Sequence, residues 1–139
     1  MNYISMLRRQ FAVNGRGQAM VEFALVMTLA LIILLVSIQM AMIGQAALAV
    51  SQSAWHGARY ASIHTTETST QVSDYMKSKA SPTLKTADLT ITVSGARTFG
   101  QPVTVDVSYN CASNIVLPNP FLGVSFPSTL TSQQTAMSE

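Results

Sequence analysis

The 139-residue chain is short of charge: 10% of its residues are Asp, Glu, Lys or Arg, against roughly 25% in ordinary soluble domains. Between Glu22 and Arg59 there are 36 consecutive residues without a formal charge. That deficit argues against a soluble cytosolic enzyme before any motif is considered. Cysteine is nearly missing too. Cys111 is the single one, so no intramolecular disulfide framework exists. Aromatic residues make up 7%. There is no Gly-rich phosphate loop, no G-x-S-x-G and no H-E-x-x-H, and with them go the usual signatures of phosphate cradles, serine nucleophiles and zinc peptidases. Nothing here points to an enzyme, a cofactor or a metal site.

Basic charge is unevenly placed. Arg8, Arg9 and Arg16 lie in the first 17 positions, which contain no acid. From Gln18 onward five basic residues face six acidic ones. The excess positive charge therefore belongs to an amino-terminal tail, and the electrostatic footprint expected of a nucleic-acid-binding surface is absent.

What the chain does have is one long apolar run. From Phe23 to Ile43 the only polar residues are Thr28, Ser37 and Gln39, and about 20 such residues span a bilayer as a helix. With arginines before the run, the positive-inside rule places the amino terminus in the cytoplasm and the bulk of the chain outside. Gln45 to Ala61 lacks proline and is rich in alanine, so the helix continues beyond the span to His64. Small residues recur on it at four-residue spacing: Ala47 with Ser51, Ala54 with Ala58, Gly57 with Ala61. That spacing permits close helix–helix approach, either to the chain's own domain or to other subunits.

Further on, Val72, Tyr75, Met76 and Lys79 mark a short helix over 67–80. From Asp88 the period becomes two. Leu89, Ile91 and Val93 form one alternating run and Val103, Val105, Val107 and Tyr109 a second, with turn residues from Gly95 to Pro102 between them. This reads as an antiparallel hairpin with one buried face. Asn114 to Pro127, with three prolines, reads as a loop, and Leu130 to Met137 as a candidate third strand. The expected fold class is α+β: a long membrane-spanning helix followed by a small domain with an antiparallel hairpin or three-stranded sheet. The expected division is a leader at 1–17, the helix at 18–64 and an exported domain at 65–139. So small a domain without a disulfide is marginal alone, which makes partner contacts an expectation.

The junction of tail and span is the informative stretch: Gly17-Gln18-Ala19-Met20-Val21-Glu22-Phe23. A carboxylate at the edge of a membrane span is expensive, and Glu22 stands five positions after a glycine that closes a basic leader. This arrangement resembles the class III signal of type IV pilins. With RGQAMVEFALVMTLALIILL and the GARYAS of 57–62, the chain resembles the TadE-like pseudopilins of tight-adherence (Flp-type) pili. The resemblance covers the first 64 residues well and the remainder in outline.

It implies cleavage by a prepilin peptidase after Gly17, leaving Gln18 as the new first residue and Glu22 as the fifth. Glu22 would then be the assembly carboxylate, meeting the α-amine of a neighbouring subunit, with Phe23 beside it in the assembly helix. A paired set of charges is tolerable in low dielectric where single ones are costly. Implied partners are the membrane, the prepilin peptidase, other pilin subunits and a secretion-type platform and motor. Gln18 and Phe23 suit the TadE-like pattern better than that of the much shorter Flp major pilins, which favours an accessory subunit.

Plainer readings stand beside this one. Glu22 could snorkel to the headgroups of an uncleaved span, making the protein a membrane-anchored exported binding domain. Arg8-Arg9-Gln10-Phe11 has the look of a twin-arginine signal, but Asn14 to Gly17 separates it from a very strong apolar run. Ala47-Leu48-Ala49 fits a secretory cleavage site, preceded by an apolar stretch longer than such signals carry. His56 and His64 have no metal-ligand spacing with Cys or carboxylates and read as helix-end surface residues. Trp55 and Tyr60 are expected to pack helix against domain. Cys111 shares the parity of Val103 and Tyr109 and reads as a buried small hydrophobe, with an intermolecular disulfide as the alternative.

Overall fold

The computed structural model describes residues 3–80 and 84–139, with side chains from Gly17 onward. In chain order the elements are α1 (Tyr3–Ile63), α2 (Ser69–Ala80), β1 (Leu89–Ser94), β2 (Pro102–Asn110) and β3 (Thr129–Met137), with single 3-10 turns at Thr86–Asp88 and Ala112–Asn114. The chain divides into two compact units, 1–38 and 39–139.

In the first unit α1 starts at Tyr3, earlier than the Gln18 expected from the Gly15-Arg16-Gly17 sequence. Glycine inside a helix costs only about 1 kcal/mol relative to alanine. The flanking leucine, methionine, arginine and alanine residues are good helix formers, and no proline occurs before Pro82. Two isolated glycines thus weaken the helix without ending it. From Gly17 to Leu31 every side chain is exposed. The most apolar window of Gly17–Ile63 has a mean hydropathy of 2.7 and is 0% buried. The helix is long and apolar enough to cross a membrane. Its polar members are internally satisfied: Thr28 Oγ1 donates to the Ala24 carbonyl and Ser37 Oγ to that of Ile33, each at 2.8 Å. Hydroxyls bonded back to their own helix leave no orphan donor to place in hydrocarbon.

The second unit begins at Gln39 and contains the rest of α1. Ala46, Val50, Ala54, Ala58 and Ala61 form one buried stripe of the helix, at the i, i+4 and i, i+3 spacings that align side chains on one face. They pack against Val72, Met76 and Ala80 of α2 and against Val103, Val105, Val107 and Tyr109 of β2. Of the expected small-residue pairs, Ala54–Ala58 and Gly57–Ala61 are used within the chain, while Ala47 and Ser51 stay exposed. At Gly57 the helices meet most closely: a Cβ there would overlap Sδ and Cε of the buried Met76.

The short helix starts two residues later than its expected 67. Its amino end is a capping box. The Gln71 amide donates to Thr68 Oγ1 at 3.3 Å, and the Thr68 amide donates back to Gln71 Oε1 at 2.8 Å. Lys77 and Lys79 occupy its last turn, where the helix dipole favours cations.

The sheet is an antiparallel meander in the order β1-β2-β3. Its register puts Leu89 opposite Tyr109 and Tyr109 opposite Leu130; Ile91, Val107 and Ser132 follow, then Val93, Val105 and Gln134. Hence the period-two alternation aims one face at the helices. The other face carries Thr90, Thr92, Thr104, Asp106, Thr131 and Thr135, with the Thr104 and Thr135 hydroxyls 3.0 Å apart across strands. The hairpin, the third strand and the α+β class agree with the alternation read from the sequence.

β2 runs from the carboxyl end of α1 toward Gln39. At its start, Gly100 donates to the Ser138 carbonyl (2.9 Å) and Glu139 to that of Ser62 (3.2 Å). Beyond its end, Asn114 Nδ2 donates to the Tyr109 hydroxyl (3.2 Å), and Gln39 Nε2 donates to the Asn114 carbonyl (3.2 Å). The Val116 amide in turn donates to Gln39 Oε1 at 2.9 Å. Gln39, 2% exposed, thus uses both ends of its amide to hold the loop after β2.

Two positions give direct tests. Gly95 in the β1–β2 turn has φ +108°, and a Cβ there would strike the Pro102 carbonyl oxygen. Gly95→Ala is therefore expected to destabilise the second unit by about 1–3 kcal/mol, measured by thermal unfolding of the full chain in detergent; an unchanged midpoint would contradict this turn geometry. Cys111 is fully buried, donates to the Pro127 carbonyl at 3.0 Å, and burial raises its thiol pKa. The thiolate is the reactive form, so the native protein should resist maleimide at neutral pH and react fast once denatured. Equal rates in the two states would place the thiol on the surface.

Candidate processing and assembly site

Gly17, Gln18, Glu22 and Phe23 lie on consecutive turns of α1, all exposed. Gln18 and Glu22 are four apart and so share a face; Phe23 follows and is 67% exposed. Around Gly17 the space is open, with nothing within 4 Å of the position a Cβ would take. The Gly17–Gln18 peptide bond is thus sterically reachable but helical. A peptidase that needs an extended strand must unwind the helix there, and Gly15 and Gly17 lower the cost of doing so. Glu22 lies about 6 Å along the axis from Gln18, at 1.5 Å per residue. The leader arginines Arg8, Arg9 and Arg16 have no described side chains, so a relation between them and Glu22 lies outside the described residues.

The compact second unit holds a different polar grouping. Between α1 and α2 a groove of about 540 Å³ is lined by His56, Arg59, Tyr60, His64, Tyr75 and Lys79, among others. Tyr60 stacks on Tyr75 at 3.9 Å and on His64 at 4.0 Å between centroids. Its hydroxyl donates to Glu67 Oε1 at 3.0 Å. Partial burial and that hydrogen bond, in that order, hold its phenol above the ordinary range. Tyr60 thus packs helix on helix as expected. Trp55 does not: it is 51% exposed, with its edge toward His56 and the Arg59 guanidinium 5.9 Å from its ring centre. The reason is angular, because Trp55 adjoins Ala54 but lies outside the stripe that the domain covers. His56 and His64 are exposed. Among the described residues no three His, Cys, Asp or Glu side chains converge as a metal site.

Sequence reasoning missed Gln39, taken as one polar member of an apolar run. The signal was available. An amide inside such a run must find partners, and here they are backbone groups of the loop at 114–116. The compact second unit begins at Gln39 and so takes in the last five residues of the apolar run expected to reach Ile43.

No curated protein and no solved structure matches the chain. The family model described as TadE-like protein matches residues 17–59, a segment that opens at the glycine of the junction, includes Gln18, Glu22 and Phe23, and ends in the alanine stripe. Over that segment the chain is similar to the TadE-like family.

Proposed function

We propose that this protein is a pseudopilin: a structural, non-catalytic subunit inserted in a bacterial cytoplasmic membrane, cut after Gly17 by a prepilin peptidase, and taking part in assembly of a tight-adherence pilus. The observation that carries the proposal is the family match over residues 17–59. It starts at the very glycine that precedes Glu22 by five positions. The bare apolar helix supports it, since 21 residues from Gln18 to Ile38 measure about 31 Å, the thickness of a bilayer core. The arginines at 8, 9 and 16 favour a cytoplasmic amino terminus.

In this reading, cleavage creates a positive α-amine at Gln18, one helical turn from Glu22. Within one subunit the two lie about 6 Å apart along the axis. A neighbour displaced along the filament by roughly that rise brings its amine level with Glu22. The pair forms in hydrocarbon or in a packed helix core, where either charge alone is expensive. Charge neutralisation therefore selects one axial stagger, and the exposed apolar side chains around it supply the contact area. Membrane, peptidase, other pilin subunits and a platform with its motor are the partners this mechanism requires.

The uninterrupted helix through residues 17 and 18 favours one competing reading, an uncleaved anchor for the 39–139 unit. Intact mass and amino-terminal sequencing of protein from native membranes distinguish the two. The expected result is a chain starting at Gln18; a start at Met1 would sink the pilin mechanism. Given processing, Glu22→Ala should leave membrane insertion and cleavage intact while lowering filament incorporation at least about tenfold, equivalent to losing roughly 1.4 kcal/mol of pairing. Glu22→Asp should retain part of it. Normal incorporation of the alanine variant, scored in sheared filaments, would remove the role given to Glu22.

A further inference from the structure

The loop following β2 has an unusual surface. Val116 is 78%, Leu122 73% and Val124 51% exposed, and no charged residue occurs between Asp106 and Glu139. At its tip the Phe121 amide donates to the Val124 carbonyl at 3.0 Å, and the Val124 amide to the Phe121 carbonyl at 2.9 Å. The two central residues of this tight turn both have positive φ, 49° at Leu122 and 82° at Gly123. Turns of that kind favour Asn, Asp or Gly at both positions, and leucine in the left-handed region carries backbone strain. A strained position therefore presents one of the most apolar side chains to the outside. The Asn119 side chain nearby is paired too. Asn119 Nδ2 donates to the Phe126 carbonyl (3.0 Å), and the Phe126 amide donates to Asn119 Oδ1 (3.1 Å).

The loop is held at a defined place. Gln39 binds it through Asn114 and Val116, and Gln39 is covalently the next residue after Ile38, the last of the bare apolar run.

We propose that residues 115–124 are a lipid-contacting loop, which inserts Val116 and Leu122 into the outer interfacial layer of the same bilayer that the helix crosses. This rests on the membrane-spanning reading of residues 18–38. Absence of charge removes the main cost of entering the interface, and turn amides and carbonyls already paired to each other remove the next. The helix and loop together form a two-point anchor, setting the depth of the helix and the tilt of the 39–139 unit on the membrane before assembly. Extraction into a filament then has to break the loop contact as well as the span.

The test places single tryptophans in full-length protein carrying Trp55→Phe, reconstituted in phosphatidylcholine vesicles with or without bromine on the acyl chains. Val116→Trp and Leu122→Trp are the loop probes. Leu31→Trp reports the span. Phe99→Trp is the control: Phe99 is 87% exposed but lies in the β1–β2 turn, at the opposite end of β2 from Gln39. Expected are strong loss of emission at 31, clear loss with a blue shift at 116 and 122, and none at 99. Combining a loop probe with Gln39→Leu, which removes the tether, should reduce the loss at 116 while leaving that at 31. Quenching at 31 with none at 116 or 122 overturns the loop proposal and keeps the span. No quenching at 31 overturns both. A blue shift at 116 or 122 without quenching that grows with protein-to-lipid ratio assigns the loop to a second copy, again against lipid. Retained resistance of Cys111 to maleimide certifies that each variant is folded.

Discussion

One helix carries two kinds of surface, and the change between them falls at Gln39. From Phe23 to Ile38 most side chains are apolar, large and exposed. From Gln39 on, one stripe of the same helix is small and buried under α2 and β2. Hydrocarbon imposes no shape on a side chain, so leucine, isoleucine and methionine serve there. A protein core at close packing does impose one, and alanine at 46, 54, 58 and 61 lets the sheet and the second helix approach the backbone. Gln39 satisfies its amide by binding the loop that follows β2. Without that pairing a polar amide would be stranded at the edge of the apolar run.

The rest of the second unit follows from the alanine stripe. A stripe of small side chains buries little area by itself, so the domain gains its core from the other side: Val103, Val105, Val107 and Tyr109, four successive inward positions of the central strand, together with Met76 and Val72. β1 and β3 flank that strand and, apart from the buried Leu89, are only half-buried on the same face. The unit therefore depends on α1 as its third layer, and its compact boundary falls at 38/39 instead of after the helix.

Much of this was legible in the sequence because its signals were periodic. Alternation of Val, Thr and Ser fixes the faces of β1 and β2 in one register, since a slip of one residue would turn every valine to water. β3 was harder, because Ser132 and Gln134 occupy inward positions at the edge of the sheet, where half-burial tolerates them. The apolar run from Phe23 to Ile43 could be counted, although the start of the second unit could not: hydropathy sees Met40, Ala41, Met42 and Ile43 as more of the same run, and only the hydrogen bonds of Gln39 and the burial of Ile43 reveal where the compact unit begins. Gly15 and Gly17 misled in the opposite direction. They look like punctuation, but with no proline and good helix formers on both sides the helix passes through them.

That continuity bears on how one segment can be both a substrate and a building block. A helical Gly17–Gln18 bond is protected against casual proteolysis and open only to an enzyme able to unwind it, at a place where two glycines make unwinding cheapest. What cleavage changes is charge. In the proposed mechanism it replaces a neutral peptide group by an amine one turn from Glu22, turning a single costly carboxylate into half of a pair. The half that satisfies it cannot come from its own helix without bending the chain back on itself, because α-helical geometry points the free amine along the axis and away from residue 22. On the proposed function the partner is then another subunit, and a carboxylate that is costly in the isolated chain gives the reason to assemble.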